Sequence, residues 1–283
     1  MTVQVGDLDE VPALPTPGST PIDQHDDEWS EEGAFMGDHS SIEWTEATWN
    51  PTTGCDKTSP GCDNCYALTL SKRLKAMGQA KYQNDGDPDT SGPGFGLTLH
   101  PDTLDIPRSW TSPRVIFVNS MSDLFHRDVP ESYIRQVFEV IADTPQHQYQ
   151  LLTKRSKRLA SLGAKIQWPP NLWMGVSVES DKYRFRLDHL RRVDAAVRFV
   201  SAEPLLGPLE DLDLDGIHWL IAGGESGPRA RPMNEAWVVD LRDQCASTGV
   251  PFFFKQWGGP TPKAGGRTLD GRTYDEMPAL IGA

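Results

Sequence analysis

Short apolar runs recur between helical stretches from Ser41 onward, and this alternation constrains the fold more than any other feature of the chain. The spacing predicts strands at 42–45, 96–100, 115–119, 149–153, 173–177, 198–202, 218–222 and 252–255. It predicts helices at 65–77, 130–143, 155–162, 181–192 and 234–248. The helix over 130–143 sets Tyr133, Val137, Val140 and Ile141 on one stripe, and Pro130-Glu131 suits its first turn. Strands alternating with helices build parallel β/α units. The expected fold is therefore α/β, a parallel β/α barrel of the TIM type. Eight strands would close it; six or seven would leave it partial. No internal repeat is visible.

Many of the expected strands end in polar residues: Asn119-Ser-Met-Ser-Asp123, Thr153-Lys-Arg155, Ser177-Val-Glu179, Ser201-Ala-Glu203, Gly223-Gly-Glu225 and Lys255-Gln256. Loops are polar in most proteins. Here Glu, Lys and Arg repeat at corresponding strand tips, and in β/α barrels those tips form the active-site face.

Three of the four cysteines, Cys55, Cys62 and Cys65, fall within eleven residues after the first expected strand. Three thiolates can hold three irons of a [4Fe–4S] cluster and leave the fourth iron open to a substrate. Zinc is the rival, with three Cys and one His or Asp; His100 and His126 could supply that ligand only through the fold. Gly54 and Gly61 precede the first two cysteines and give the loop freedom to wrap a cluster. The helix expected after Cys65 would turn its N-terminal dipole towards negative ligands. Cys245 sits in an apolar helical stretch and reads as inert core.

The net charge of −13 belongs to one segment. Residues 1–46 hold twelve Asp or Glu and no Lys or Arg, leaving 28 acidic against 27 basic residues for the rest. Composition therefore neither supports nor excludes a nucleic-acid partner. Residues 1–40 are expected to form a disordered acidic arm. It is either a solubilising tail, a docking segment for a protein partner or a nucleic-acid mimic. The folded unit is expected over residues 41–283. No apolar run approaches the roughly 20 residues that span a bilayer, and the N-terminus does not read as a secretory signal. Clustered cysteines without a disulfide pattern suit a reducing cytoplasm.

The cysteine loop resembles a lengthened radical S-adenosylmethionine (SAM) signature, which normally runs C-x3-C-x2-C. Here three residues are added, and Asn64 stands where an aromatic usually precedes the third cysteine. More closely, the chain resembles the phage-associated three-cysteine-motif family, itself similar to radical SAM proteins. The matching segments are 42–55, 119–125, 151–155, 201–207, 223–227 with 230–233, and 252–258. The resemblance implies a [4Fe–4S] cluster on Cys55, Cys62 and Cys65, SAM bound at the open iron, an electron donor, and a 5′-deoxyadenosyl radical as product. Gly223-Gly224-Glu225 resembles the element that receives the SAM amino group, although here it follows a late strand. Lys154 and Arg155 are candidates for the SAM carboxylate, Glu203 for the ribose hydroxyls, and Lys255 for the same pocket. Asp123 and His126 are candidate acid–base residues. The phage association suggests nucleic acid as substrate. The alternative is a zinc- or cluster-containing nucleic-acid-binding protein without radical chemistry.

Overall fold

The computed structural model describes residues 42, 44–261 and 264–279. The acidic arm over residues 1–40 lies outside the described residues. Among the described residues, seven strands form one parallel sheet: β1 (Ala47–Trp49), β2 (Val115–Val118), β3 (Gln148–Thr153), β4 (Leu172–Ser177), β5 (Val197–Ala202), β6 (Trp219–Gly223) and β7 (Phe252–Gln256). Each strand pairs with the next in sequence, so spatial order follows chain order. β1 and β7 are the two edges, and the curled sheet is a partial barrel.

The crossovers carry helices α1 (Tyr66–Ala76), α2 (Glu131–Asp143), α3 (Ser156–Gly163), α4 (Phe185–Leu190) and α5 (Glu235–Thr248). In α2 the expected stripe is buried and widened by Ile134 and Phe138. It packs on outward residues of the strands, among them Ile116, Val118, Leu151 and Met174. Burying each such side chain contributes about 1.5–3 kcal/mol, enough to hold helices of this length on the sheet. The Asn234 side chain caps α5 by accepting the Ala236 N–H at 3.0 Å, and Gly249 ends the helix at φ +72°.

Side chains on the other strand face meet inside the barrel. Phe117, Trp173, Phe199, Trp219, Ile221 and Phe253 fill its base together with Trp44. Trp219 is the hub: its ring centroid lies 6.0 Å from those of Trp44, Trp173 and Phe253, and 5.6 Å from that of Phe199. Gly175 makes room for this packing, since a Cβ there would stand 2.4 Å from the Phe199 ring.

Three sequence expectations need correction. Of the strand expected at 42–45, the described Ile42, Trp44 and Thr45 are not in a strand, and the first described strand is Ala47–Trp49. Trp44 instead turns edge-on to Phe117 at 4.9 Å, because an open barrel base buries a Trp ring better than a sheet edge would. The run at 96–100 contributes no barrel strand. Its Thr98–Leu99 pairs antiparallel with Thr52–Thr53 in a separate two-stranded ribbon, which leaves seven barrel strands rather than eight. The helix expected over 181–192 breaks into a 3-10 turn at Asp181–Tyr183 and the short α4. There Arg186 is drawn inward, stacked 4.4 Å from the Tyr183 ring centroid and bonded to a carboxylate inside the barrel.

Among the described residues, no helix is long and apolar enough to cross a membrane.

Candidate metal centre

The polar strand tips gather around one loop. The chain leaves β1, runs through Thr52–Thr53 and turns at Gly54, whose φ is +87°. A Cβ on Gly54 would lie 2.3 Å from the Gly96 carbonyl, so both conformation and space require glycine. The segment after β2 docks on this entry: Gly54 N–H donates to the Met121 carbonyl at 3.0 Å, and Thr52 and Ser122 share a hydroxyl bond at 2.7 Å. The thiols of Cys55, Cys62 and Cys65 follow, all half-buried.

One side of this loop is apolar. Cys55 and Cys65 pack against a cluster of Ala67, Leu74, Tyr82, Phe95 and Met121. The other side is cationic. Arg155 Nη2 lies 3.7 Å from Cys55 Sγ and donates to the Asp56 carbonyl at 3.1 Å. The charge of Lys154 acts on Cys62 and Cys65. Thr58 and Ser59 hydroxyls stand 3.8 and 3.9 Å from Cys62 Sγ. Backbone N–H groups of Ala67 and Leu68, at the start of α1, favour the Cys65 thiolate. A dry wall on one side and fixed donors on the other is the setting in which thiolates hold metal.

These surroundings split the three thiols. Burial, reinforced by the Asp123 charge, pushes Cys55 up to about 12 despite Arg155. Burial also raises Cys65 above the usual thiol value. For Cys62 burial works in the same direction, but Lys154 and the donors at Thr58 and Ser59 outweigh it, and the thiol titrates below its usual value. In metal-free protein near neutral pH, iodoacetamide is expected to modify Cys62 before Cys55 or Cys65. Peptide mapping of a time course reads the order; Cys55 reacting first would contradict this placement of cations.

As placed, the three thiols are spread more widely than a single zinc ion draws its ligands. Tetrahedral zinc with Zn–S bonds of about 2.3 Å draws its thiolates to about 3.8 Å from one another. At least one pair of the three thiols stands more than 4.8 Å apart. His100 and His126 do not complete a Cys3His set among the described residues. His100 bonds Thr53 Oγ1 at 2.8 Å, and burial, with the Lys81 charge, lowers it to about 4. His126 bonds Asp56 at 2.9 Å. Asp56, His126 and Asp128 do bring three ligand atoms within 4.8 Å, beside an acidic cleft of about 400 Å³ that Asp85 and Asp87 also line. Asp56, however, already accepts from Thr90, Ser91, His126 and Arg127.

The structure distributes the remaining site residues over three braces. Asp123, at the tip of β2, accepts from Phe125 N–H at 3.0 Å, Thr153 Oγ1 at 2.7 Å and Lys154 N–H at 3.1 Å, with Arg155 Nε at 3.9 Å. Its oxygens thus fix the tip of β3, from which Lys154 and Arg155 project. Burial and the Arg155 charge lower His126 despite Asp56, so its imidazole is neutral at neutral pH. Glu225, at the tip of β6, accepts from Asn64 at 2.9 Å and bidentately from Arg231 at 2.6 and 2.9 Å. Arg231 also donates to the Pro60 carbonyl at 2.7 Å. Glu225 and Arg231 therefore clamp the cysteine loop. Arg231 carried no sequence signal beyond its place in the segment 230–233.

Glu203 forms the third group. Its Oε1 lies 3.1 Å from Lys255 Nζ, and its Oε2 accepts from Ser201. Gly223 leaves space for it, since a Cβ there would stand 2.9 Å from Glu203 Oε1. Glu203 is also close enough for its charge to act on Tyr66, the residue after Cys65. Gly224 is required by a neighbouring backbone: its Cβ would lie 2.0 Å from the Trp257 carbonyl. Gly224→Ala is expected to lower the melting temperature by several degrees, because the main chain just after β7 cannot move aside as a side chain can. An unchanged melting curve would count against this packing. Cys245 is buried in the helix-facing core, as its apolar stretch implied.

The family described as "Protein of unknown function (DUF5131)" matches residues 39–278. No curated protein matches the chain. Among solved structures, spore photoproduct lyase complexed with dinucleoside spore photoproduct is similar at 16% identity and TM-score 0.42, over 65% of this chain and 57% of that one. A variant of that lyase with bound AdoMet and dinucleoside spore photoproduct gives 15% identity and TM-score 0.40, over 63% of this chain. A tyrosine-to-phenylalanine variant gives 14% and 0.43, over 65% of this chain and 57% of that one. The chain thus spans 57% or less of the length of these lyase structures.

Proposed function

The chain belongs to the DUF5131 family, and for this member we propose a radical SAM-type iron–sulfur enzyme of the three-cysteine-motif kind that acts on nucleic acid. The observation that carries this reading is the position of three half-buried thiols. They lie on the loop after β1, walled by apolar side chains and backed by Lys154 and Arg155. Cys55, Cys62 and Cys65 would hold a [4Fe–4S] cluster. When bound, that cluster supplies the single electron that cleaves SAM to methionine and a 5′-deoxyadenosyl radical, and an external donor replenishes it.

The chain's own residues bind and orient. Glu203 and Lys255 offer opposite charges at the tips of β5 and β7, which flank β6, suited to the ammonium and carboxylate of a methionine end. Gly223 leaves that pair room. Lys154 and Arg155 counter the thiolate charge, and Asp123 holds both in place. Glu225 serves SAM indirectly, by fixing the cysteine loop through Asn64. His126, neutral and bonded to Asp56, can carry a proton at its ring nitrogens. For the substrate, Tyr66 exposes 47% of its surface beside Cys65 while its hydroxyl donates to the Ser120 carbonyl. A pinned, exposed aromatic ring is a surface on which a nucleobase stacks.

The test is anaerobic reconstitution with iron and sulfide, followed by SAM and dithionite, with chromatography for 5′-deoxyadenosine. A brown protein that forms this nucleoside is the expected result. A colourless protein holding stoichiometric zinc, and forming none, would overturn the reading in favour of a zinc-containing nucleic-acid-binding protein.

A further inference from the structure

We propose that Glu179 is a positioning residue for the metal centre, holding the segment between Cys55 and Cys62 against the tip of β4 and aiming Lys154 at the thiols. This rests on the metal-centre reading above.

Glu179 is fully buried. A carboxylate taken out of water costs several kcal/mol unless paired. Arg186 supplies the pairing: its Nη1 lies 2.8 Å from Glu179 Oε2 and also donates to the Ser177 carbonyl at 2.6 Å. Arg186 is itself 2% exposed. The two charges would balance inside the barrel wall with no further partner. The second oxygen nevertheless reaches out of the wall. Oε1 accepts from Ser59 Oγ at 2.5 Å, across 120 residues of sequence, and lies 3.8 Å from Lys154 Nζ.

Both contacts bear on the thiols. The Ser59 carbonyl accepts the Cys62 N–H at 2.9 Å, and the Ser59 hydroxyl stands 3.9 Å from Cys62 Sγ. Gly61 presses on the same carboxylate, since a Cβ there would lie 2.6 Å from Glu179 Cγ. Glycine at this position is thus a matter of space, not of backbone freedom. Arg186, Glu179, Ser59 and Cys62 form one line of contact from barrel wall to metal ligand. Lys154 is held on the same carboxylate, so one group sets both the loop and its cation.

Glu179→Gln tests this directly but leaves Arg186 buried without a counter-charge, and the chain could unfold. Ser59→Ala removes the loop arm, together with the hydroxyl's contact on Cys62 Sγ, and leaves the ion pair intact; Gly61→Ala crowds Glu179 without touching that contact. Three measurements on full-length protein follow. In the metal-free chain, tryptic cleavage after Lys57 reports on loop opening. In the reconstituted chain, iron release to a chelator and the electron paramagnetic resonance spectrum of the reduced cluster report on the ligand geometry. Loss of one hydrogen bond to a charged group is expected to speed both cleavage and iron release by about tenfold, and to shift the spectrum. Gly61→Ala should reproduce these changes. If the parent takes up iron but Ser59→Ala and Gly61→Ala match it in cleavage, release and spectrum, the role of Glu179 is overturned while the metal centre stands. If the parent takes up no iron, the metal-centre reading fails and this role falls with it.

Discussion

Cys62→Ser, reconstituted anaerobically, is expected to lose nearly all of the roughly four irons that a [4Fe–4S] cluster brings to each chain. Serine keeps the shape of the side chain but is a poor ligand for iron beside sulfide. Cys55→Ser and Cys65→Ser should behave alike, because the chain has only one other cysteine and it is buried in the core. The loop itself should stay folded. Arg231, Glu225 and Asn64 hold it on one side, and Ser59 and Glu179 on the other, without help from metal. Iron analysis with circular dichroism separates ligand loss from unfolding. Full iron retention by all three variants would remove these thiols as ligands, and with them the proposed chemistry.

Trp219→Ala is expected to destabilise the barrel more than any change on its rim. The ring is fully buried and touches Trp44, Trp173, Phe199 and Phe253. Its indole N–H also donates to the Glu276 carbonyl at 2.8 Å, so its removal leaves a cavity and frees the C-terminal segment. Truncating a buried Trp costs about 3–5 kcal/mol, which for a domain of this size lowers the melting temperature by roughly 10 °C. Thermal denaturation measures this. A shift of a degree or two would mean that the barrel base is loosely packed.

The alternation of strands and helices was legible because parallel strands are covered on both faces. Such strands read as continuous apolar runs, and β2 to β7 fall within two residues of their expected bounds at either end. The cysteine loop was legible because its spacing is local. Trp44 misled for the opposite reason. Its partners Phe117 and Trp219 lie 73 and 175 residues away, so nothing nearby marks it as a plug rather than a strand. At the site, the sequence singled out Lys154, Glu203, Glu225 and Lys255 as charges at strand tips but not which charge meets which. The tertiary structure decided that Glu203 pairs with Lys255, that Arg231 occupies Glu225, and that Glu179 grips Ser59.

The amino-acid sequence by itself thus determined the β/α class, the charged residues at the strand tips and the clustering of three thiols, because each depends on neighbours a few residues apart. Only the tertiary structure decided that the barrel stays open at seven strands and which carboxylates brace the loop. Those outcomes depend on contacts such as Ser59 to Glu179 and Asn64 to Glu225, 120 and 161 residues apart, whose pairing is set when the sheet curls and brings its tips together.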